Sequence, residues 1–186
     1  KRVAAHLGSP IDSPCDKFTC PLHPDETVPS ANFHRTRDGR YLFRCWHVDR
    51  SIKLGDLYHA CKTGKLEQIT LAQSAVWLWR LALDAGFLPP PDLAVPEMPH
   101  DAPESARSVL KGCALLQRCH LLHGGRDGRC PATDAFLASW CGLSEQDSRN
   151  GKRWLVNHGY LQVVEHGQPL QRASLYPLSQ ATTRPP

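Results

Sequence analysis

Four residues of this chain combine types and spacing that suit metal chemistry: Cys20 and His23 in Cys20-Pro21-Leu22-His23, then Cys45 and His47 in Cys45-Trp46-His47. Thiolate and imidazole are the donors Zn²⁺ favours, and a C-x-x-H spacing lets two side chains meet one tetrahedral ion. Four protein ligands leave no coordination position for a reactive water, so the expected role of the zinc is structural. His47 is the expected fourth ligand. The single residue between Cys45 and His47 is a tighter gap than usual, and Cys15 and Asp49 remain alternatives. The competing reading is of buried cysteines beside unrelated histidines. A lobe of about 50 residues has little apolar interior of its own, so metal binding would supply much of its folding free energy.

The elements that must carry these ligands follow from local pattern. Arg37-Asp38-Gly39-Arg40 separates residues 31–36 from residues 41–45, and Asp-Gly between two such runs predicts a β-hairpin. Residues 12–65 read as a β-rich lobe that turns helical from Leu57. Residues 70–84 predict a helix that is apolar nearly all round, with Gly86 as its C-cap, buried in a core or against a partner. Six prolines between residues 89 and 103 predict an extended linker. Residues 104–123 then predict a helix, with Ala106, Val109, Leu110, Cys113 and Leu116 on one face and Gly124 and Gly125 at its end.

Thr133 is placed to cap a helix over 134–140, Gly142 to turn the chain, and Ser144 with Glu145 to open a second helix reaching about His158. Residues 160–165 and 173–178 read as two strands joined by a turn at 166–169. The expected class is α+β. It comprises a zinc-ribbon domain with a packed helix (1–88), a linker (89–103) and a winged helix-turn-helix domain (104–186).

Both lobes carry residues suited to nucleic acid. Arg35, Arg37, Arg40 and Arg44 can neutralise phosphates, and Phe33, Tyr41, Phe43 and Trp46 offer faces for unpaired bases. Alternation puts Tyr41 and Phe43 on one face and Arg40, Leu42 and Arg44 on the other. The alternative is a solvated basic face over an aromatic core. In the second lobe Gln146, Asp147, Arg149, Asn150 and Arg153 are expected to project outward near a helix start, where major-groove readers place base contacts. Lys152, His166, Gln171 and Arg172 are candidates for phosphate contact, unless the lobe serves protein contacts only.

Residues 18–61 carry a further pattern: Cys20-Pro21-Leu22-His23, then Asp25-Glu26-Thr27-Val28-Pro29-Ser30, a basic hairpin, Arg44-Cys45-Trp46 and Leu54-Gly55-Asp56-Leu57. This order resembles the zinc-binding domain of bacterial and phage DnaG-type primases. Val28 interrupts the family's T-P-S, Val48 stands where its last cysteine would be, and extra residues precede Gly55-Asp56. The resemblance is to a divergent, plasmid- or phage-like relative, and it implies a ribbon that engages single-stranded template DNA. Residues 143–161 resemble the recognition helix and strand entry of winged-helix proteins found among transcription regulators and replication initiators. There Ser148, Gly151 and Lys152 occupy positions that are usually apolar.

Charge agrees with two nucleic-acid contacts. Residues 1–65 hold 11 Lys/Arg against 7 Asp/Glu and residues 104–186 hold 10 against 6, whereas 66–103 hold one Arg against 5 acids. No apolar run is long enough to span a membrane. No signal-peptide pattern precedes the first cysteines, and Lys1 in place of a methionine leaves room for residues upstream. The chain reads as cytoplasmic and nucleoid-associated, its eight cysteines as thiols rather than bridges. Cys113, Cys119, His120, His123 and Cys130 match no common zinc spacing and read as core or incidental residues. No phosphate loop or nucleophile elbow is present, so the chain is not expected to be an enzyme by itself.

The expected function is a DNA-binding replication accessory, or the non-catalytic part of a primase. Its expected partners are single-stranded or duplex DNA and a polymerase, primase core or helicase, with no membrane. The rivals are a protein-interaction adaptor using the helix around Trp77 and Trp79, and a zinc-containing transcription regulator.

Overall fold

The computed structural model describes residues 1–13, 15–23, 25–91, 93, 95–123, 129–162 and 174–177, with 129–131 and 174–177 described by backbone alone. The fold is α+β, and the chain divides into two compact units, Lys1–Pro90 and Pro91–Pro186.

In the first unit, β1 (Ala31–Arg35), β2 (Tyr41–Cys45) and β3 (Arg50–Lys53) form an antiparallel sheet with β2 in the middle. The predicted hairpin is β1–β2, in register Arg35↔Tyr41, Phe33↔Phe43 and Ala31↔Cys45. Its turn closes with the Thr36 N–H donating to the Arg40 carbonyl at 2.8 Å, and Gly39 takes φ +85, where a side chain would be strained. The third strand was not anticipated. It follows a reversal at Asp49, which holds φ +45, a left-handed conformation that short polar side chains tolerate better than most.

Alternation along the strands turns Ala31, Phe33, Phe43, Cys45 and Ile52 inward. Phe18, which bridges Ala31 by two backbone hydrogen bonds of 2.8 and 3.0 Å, joins them, as do Ala4 of α1 (Arg2–His6) and Leu57 of α2 (Leu54–Thr63). The rings of Phe18, Phe33 and Phe43 lie 5.1–6.0 Å apart. This aromatic core holds Cys20 and Cys45 out of solvent.

Helix α3 (Leu71–Asp84) starts at a capping box: the Thr70 hydroxyl accepts from the Gln73 N–H, and the Gln73 side chain accepts from the Thr70 N–H. It is not buried all round. Val76, Trp77 and Leu81 face inward while Leu71 and Leu78 stay exposed, because α2 covers only one side of it. At the α2–α3 crossing a Cβ on Gly55 would sit 1.9 Å from the Ser74 carbonyl oxygen, so only glycine permits the approach. The Tyr58 hydroxyl donates to Asp84 at 2.5 Å and meets His6 Nε2 at 3.3 Å, and Arg80 reaches the same carboxylate at 3.0 Å. Burial, helped by the Asp84 charge, pushes the Tyr58 phenol well above its ordinary value and keeps it a neutral donor.

The second unit is built from α4 (Glu104–Leu122), β4 (Arg129–Ala132), α5 (Asp134–Cys141), α6 (Glu145–Asn157) and β5 (Ser174–Pro177). Thr133 and Ser144 cap α5 and α6 as expected, and Gly142 turns the chain between them at φ +69. The polar positions Ser148, Gly151 and Lys152 have a packing explanation. A Cβ on Gly151 would lie 2.6 Å from the Ser105 carbonyl oxygen, so α6 presses directly on the start of α4, while Ser148 fits the buried interface and Lys152 pairs with Asp134. Val109, Leu110, Leu116, Leu137, Trp140 and Leu155 fill the core, and the Trp140 indole N–H donates to the Gly112 carbonyl at 2.9 Å.

Strand β4 was not foreseen. It pairs antiparallel with β5, from Arg129↔Pro177 to Ala132↔Ser174. The turn expected at 166–169, and most of the strand expected at 160–165, lie outside the described residues. Part of the expected linker is engaged: Arg107 donates to the carbonyls of Pro99, His100 and Ala102 at 2.6–3.2 Å, and Tyr160 to that of Glu97 at 3.4 Å. Among the described residues, no helix is long and apolar enough to cross a membrane.

Candidate metal centre

A tight turn after Phe18 and the last residue of β2 bring the ligand candidates together. The His23 N–H donates to the Cys20 carbonyl at 3.0 Å, which folds Cys20 and His23 to the same side, and Cys45 arrives from the sheet. The donor atoms of Cys20, His23 and Cys45 all lie within 4.8 Å of one another. Cys45 Sγ stands 3.5 Å from His23 Nδ1. Bonds of about 2.3 Å to sulfur and about 2.0 Å to nitrogen at a tetrahedral angle would set that edge at about 3.5 Å, so this sulfur–nitrogen pair stands at the spacing a zinc-sized ion needs.

Both sulfurs are fully buried. Burial pushes the Cys20 thiol up to about 12; the Leu22 backbone N–H pulls it back, while Cys45 and Glu26 raise it further. A bound cation would offset the charge of a Cys20 thiolate. With its donor atoms this close, the Cys20–His23–Cys45 cluster can hold a metal ion.

The fourth candidate sits at the rim. His47 is 60% exposed, its ring meets that of His23 edge to face at 5.4 Å, and its Nδ1 lies 2.5 Å from Glu26 Oε1. His23, Glu26 and His47 form a second close group sharing His23 with the first. Cys15 belongs to neither group and is exposed; Asp49 is turned toward Arg44 at 3.7 Å with its carboxylate 90% exposed. Sequence reasoning overlooked Glu26 as a candidate, although its place three residues after His23 was a signal.

Of the aromatics offered as stacking faces, Phe33 and Phe43 are spent in the core, whereas Tyr41 and Trp46 are about half exposed. The Arg44 guanidinium and the Lys17 ammonium lie 5.7 and 5.1 Å from the Trp46 ring centre, and Lys17 was not foreseen. Arg37 is exposed, Arg40 is paired with Asp38 at 2.5 Å, and Arg35 folds back onto the Gly39 carbonyl at 3.4 Å.

On α6, Gln146, Asp147, Arg149, Asn150 and Arg153 are exposed as expected, but several are already engaged. Gln146 donates to Asn150 at 3.0 Å, and Arg149 reaches Glu145 at 2.7 Å and Asp134 at 3.7 Å. Lys152, expected to meet phosphate, is paired with Asp134 within the unit. His166, Gln171 and Arg172 lie outside the described residues. Cys113 and Cys119 are fully buried in the α4 core, and the described cysteines form no disulfide.

No protein-family model, no curated protein and no solved structure matches the chain.

Proposed function

We propose that the chain is a DNA-binding accessory of replication, non-catalytic by itself. A structural zinc ribbon held by Cys20, His23, Cys45 and His47 would contact single-stranded DNA, and a winged helix in the second unit would contact duplex DNA or a replication partner such as a polymerase, primase core or helicase. The observation that carries this reading is Trp46, half-exposed with two cations close to its ring and next in sequence to the candidate ligand Cys45. Indole face and flanking charge are what an unpaired nucleotide needs: a stacking surface for the base and counter-charge for the phosphate. Rigid attachment to the metal cluster would hold that platform in place.

In the second unit, the pairing of Arg149 and Lys152 with Glu145 and Asp134 favours a protein partner over direct readout of duplex. Freeing those cations for phosphates would leave Asp134 and Glu145 facing the DNA backbone. Titration of labelled single-stranded and duplex oligonucleotides at low salt tests the whole reading. Salt-sensitive single-strand binding that falls in Trp46→Ala is expected; no binding to either DNA form would sink it.

A further inference from the structure

We propose that Glu26 is the positioning residue of the metal centre: it grips Nδ1 of His47, so that this histidine serves the ion through Nε2. The inference rests on the zinc reading above. An exposed imidazole alone has two neutral tautomers and several rotamers, and only a fraction of them suits coordination. A carboxylate accepting the Nδ1–H selects the tautomer whose lone pair is on Nε2 and raises its basicity, as outer-sphere carboxylates do for metal-bound histidines.

Glu26 is well held for this task. Its side chain is only 17% exposed, against 60% for His47. One carboxylate oxygen lies 2.5 Å from His47, and the other accepts the Ser30 hydroxyl. Its backbone N–H donates to the carbonyl of the ligand His23 at 3.1 Å. Ser30 in turn accepts, through its own carbonyl, the N–H of Trp46 at 3.0 Å, and Trp46 stands between Cys45 and His47. His23, Glu26, Ser30 and Trp46 thus form a brace that ties the first ligand pair to the second. It accounts for the one-residue gap between Cys45 and His47: the short loop is steadied from outside, by a carboxylate, rather than by its own turn.

The test titrates the full chain, freed of metal, with Co²⁺ and then displaces it with Zn²⁺ against a chromophoric chelator. Wild type is expected to bind one equivalent with sulfur-to-cobalt charge-transfer bands and tetrahedral d–d bands. Glu26→Gln is expected to keep the charge-transfer bands and lose about 10- to 100-fold in affinity. Ser30→Ala, milder for folding, is expected to shift affinity the same way by less. The double variant Glu26→Gln with His47→Ala is expected to bind no more weakly than His47→Ala alone, because Glu26 acts only through His47. Wild-type affinity in Glu26→Gln, or losses that add in the double variant as for an independent ligand, would overturn the proposal. A wild-type chain that takes up no Co²⁺ would overturn the metal reading beneath it.

Discussion

The two units are of similar length but reach a stable fold by different means. The first gathers three phenylalanines and two cysteines around a three-stranded sheet whose strands are only 4–5 residues long. So small a sheet buries little, and the two thiols at its base lie fully buried within ligand distance of His23. The second packs three helices against each other, with glycine at the closest approach and indole and leucine side chains filling the rest. Among its described residues no group of metal-ligating side chains comes together. The polar atoms that could have burdened its core, the Trp140 N–H and the Lys152 ammonium, find partners within the unit. On the zinc reading proposed above, stability and metal content are coupled in the first unit and independent in the second.

Chelation should break that comparison most sharply. Removal of the metal, or Cys45→Ser, is expected to abolish slow amide exchange across β1–β3 and leave α4 and α6 protected, as read by hydrogen-exchange mass spectrometry. Next in size are the two glycine crossings. Gly55→Ala and Gly151→Ala each force a methyl into a backbone carbonyl, and each should cost about 1–3 kcal/mol or more of its own unit's stability in urea melts, Gly55→Ala the more. Binding comes third: Trp46→Ala should weaken single-strand binding by about 1–3 kcal/mol, whereas Arg149→Ala, which removes an already paired guanidinium, should leave it unchanged in fluorescence anisotropy.

The smallest effect is one of pH, confined to the first unit. Burial holds His59 below its ordinary value of 6.5, against the pull of Glu67 and Asp56. The unfolded chain therefore binds this proton more readily than the folded one. The contribution of a neutral His59 is present above about pH 6.5 and is lost as pH falls toward the folded value. His59→Gln should flatten that part of the acid limb in urea midpoints of the first unit.

What the sequence made legible was local chemistry. Caps at Thr70, Thr133 and Ser144 declare themselves through a hydroxyl placed before a helical run, the hairpin through Asp38-Gly39, and the cluster Cys20, His23 and Cys45 through ligand type and spacing. Features that depend on a distant neighbour were not legible. Strand β3 contains one buried apolar residue, Ile52, and exists because β2 is there to pair with; β4 likewise needs β5. The polar inner face of α6 made sense only once Ser105 and Asp134 stood against it. Alternation assigned Tyr41 and Phe43 to one face correctly, but could not tell that the core ends between them, leaving one exposed and one buried.

Strand β3 also bears on how this molecule behaves in a crowded solution. A short sheet with open sides invites further strands from neighbouring copies, the first step of aggregation. Here the outer side of β1 is bridged at Ala31 by Phe18, and the outer strand opposite is four residues long with Arg50 at one end and Lys53 at the other. A second copy adding there would set like charges side by side over too short a ladder to compensate. The same strand that completes the sheet thus also keeps it from growing.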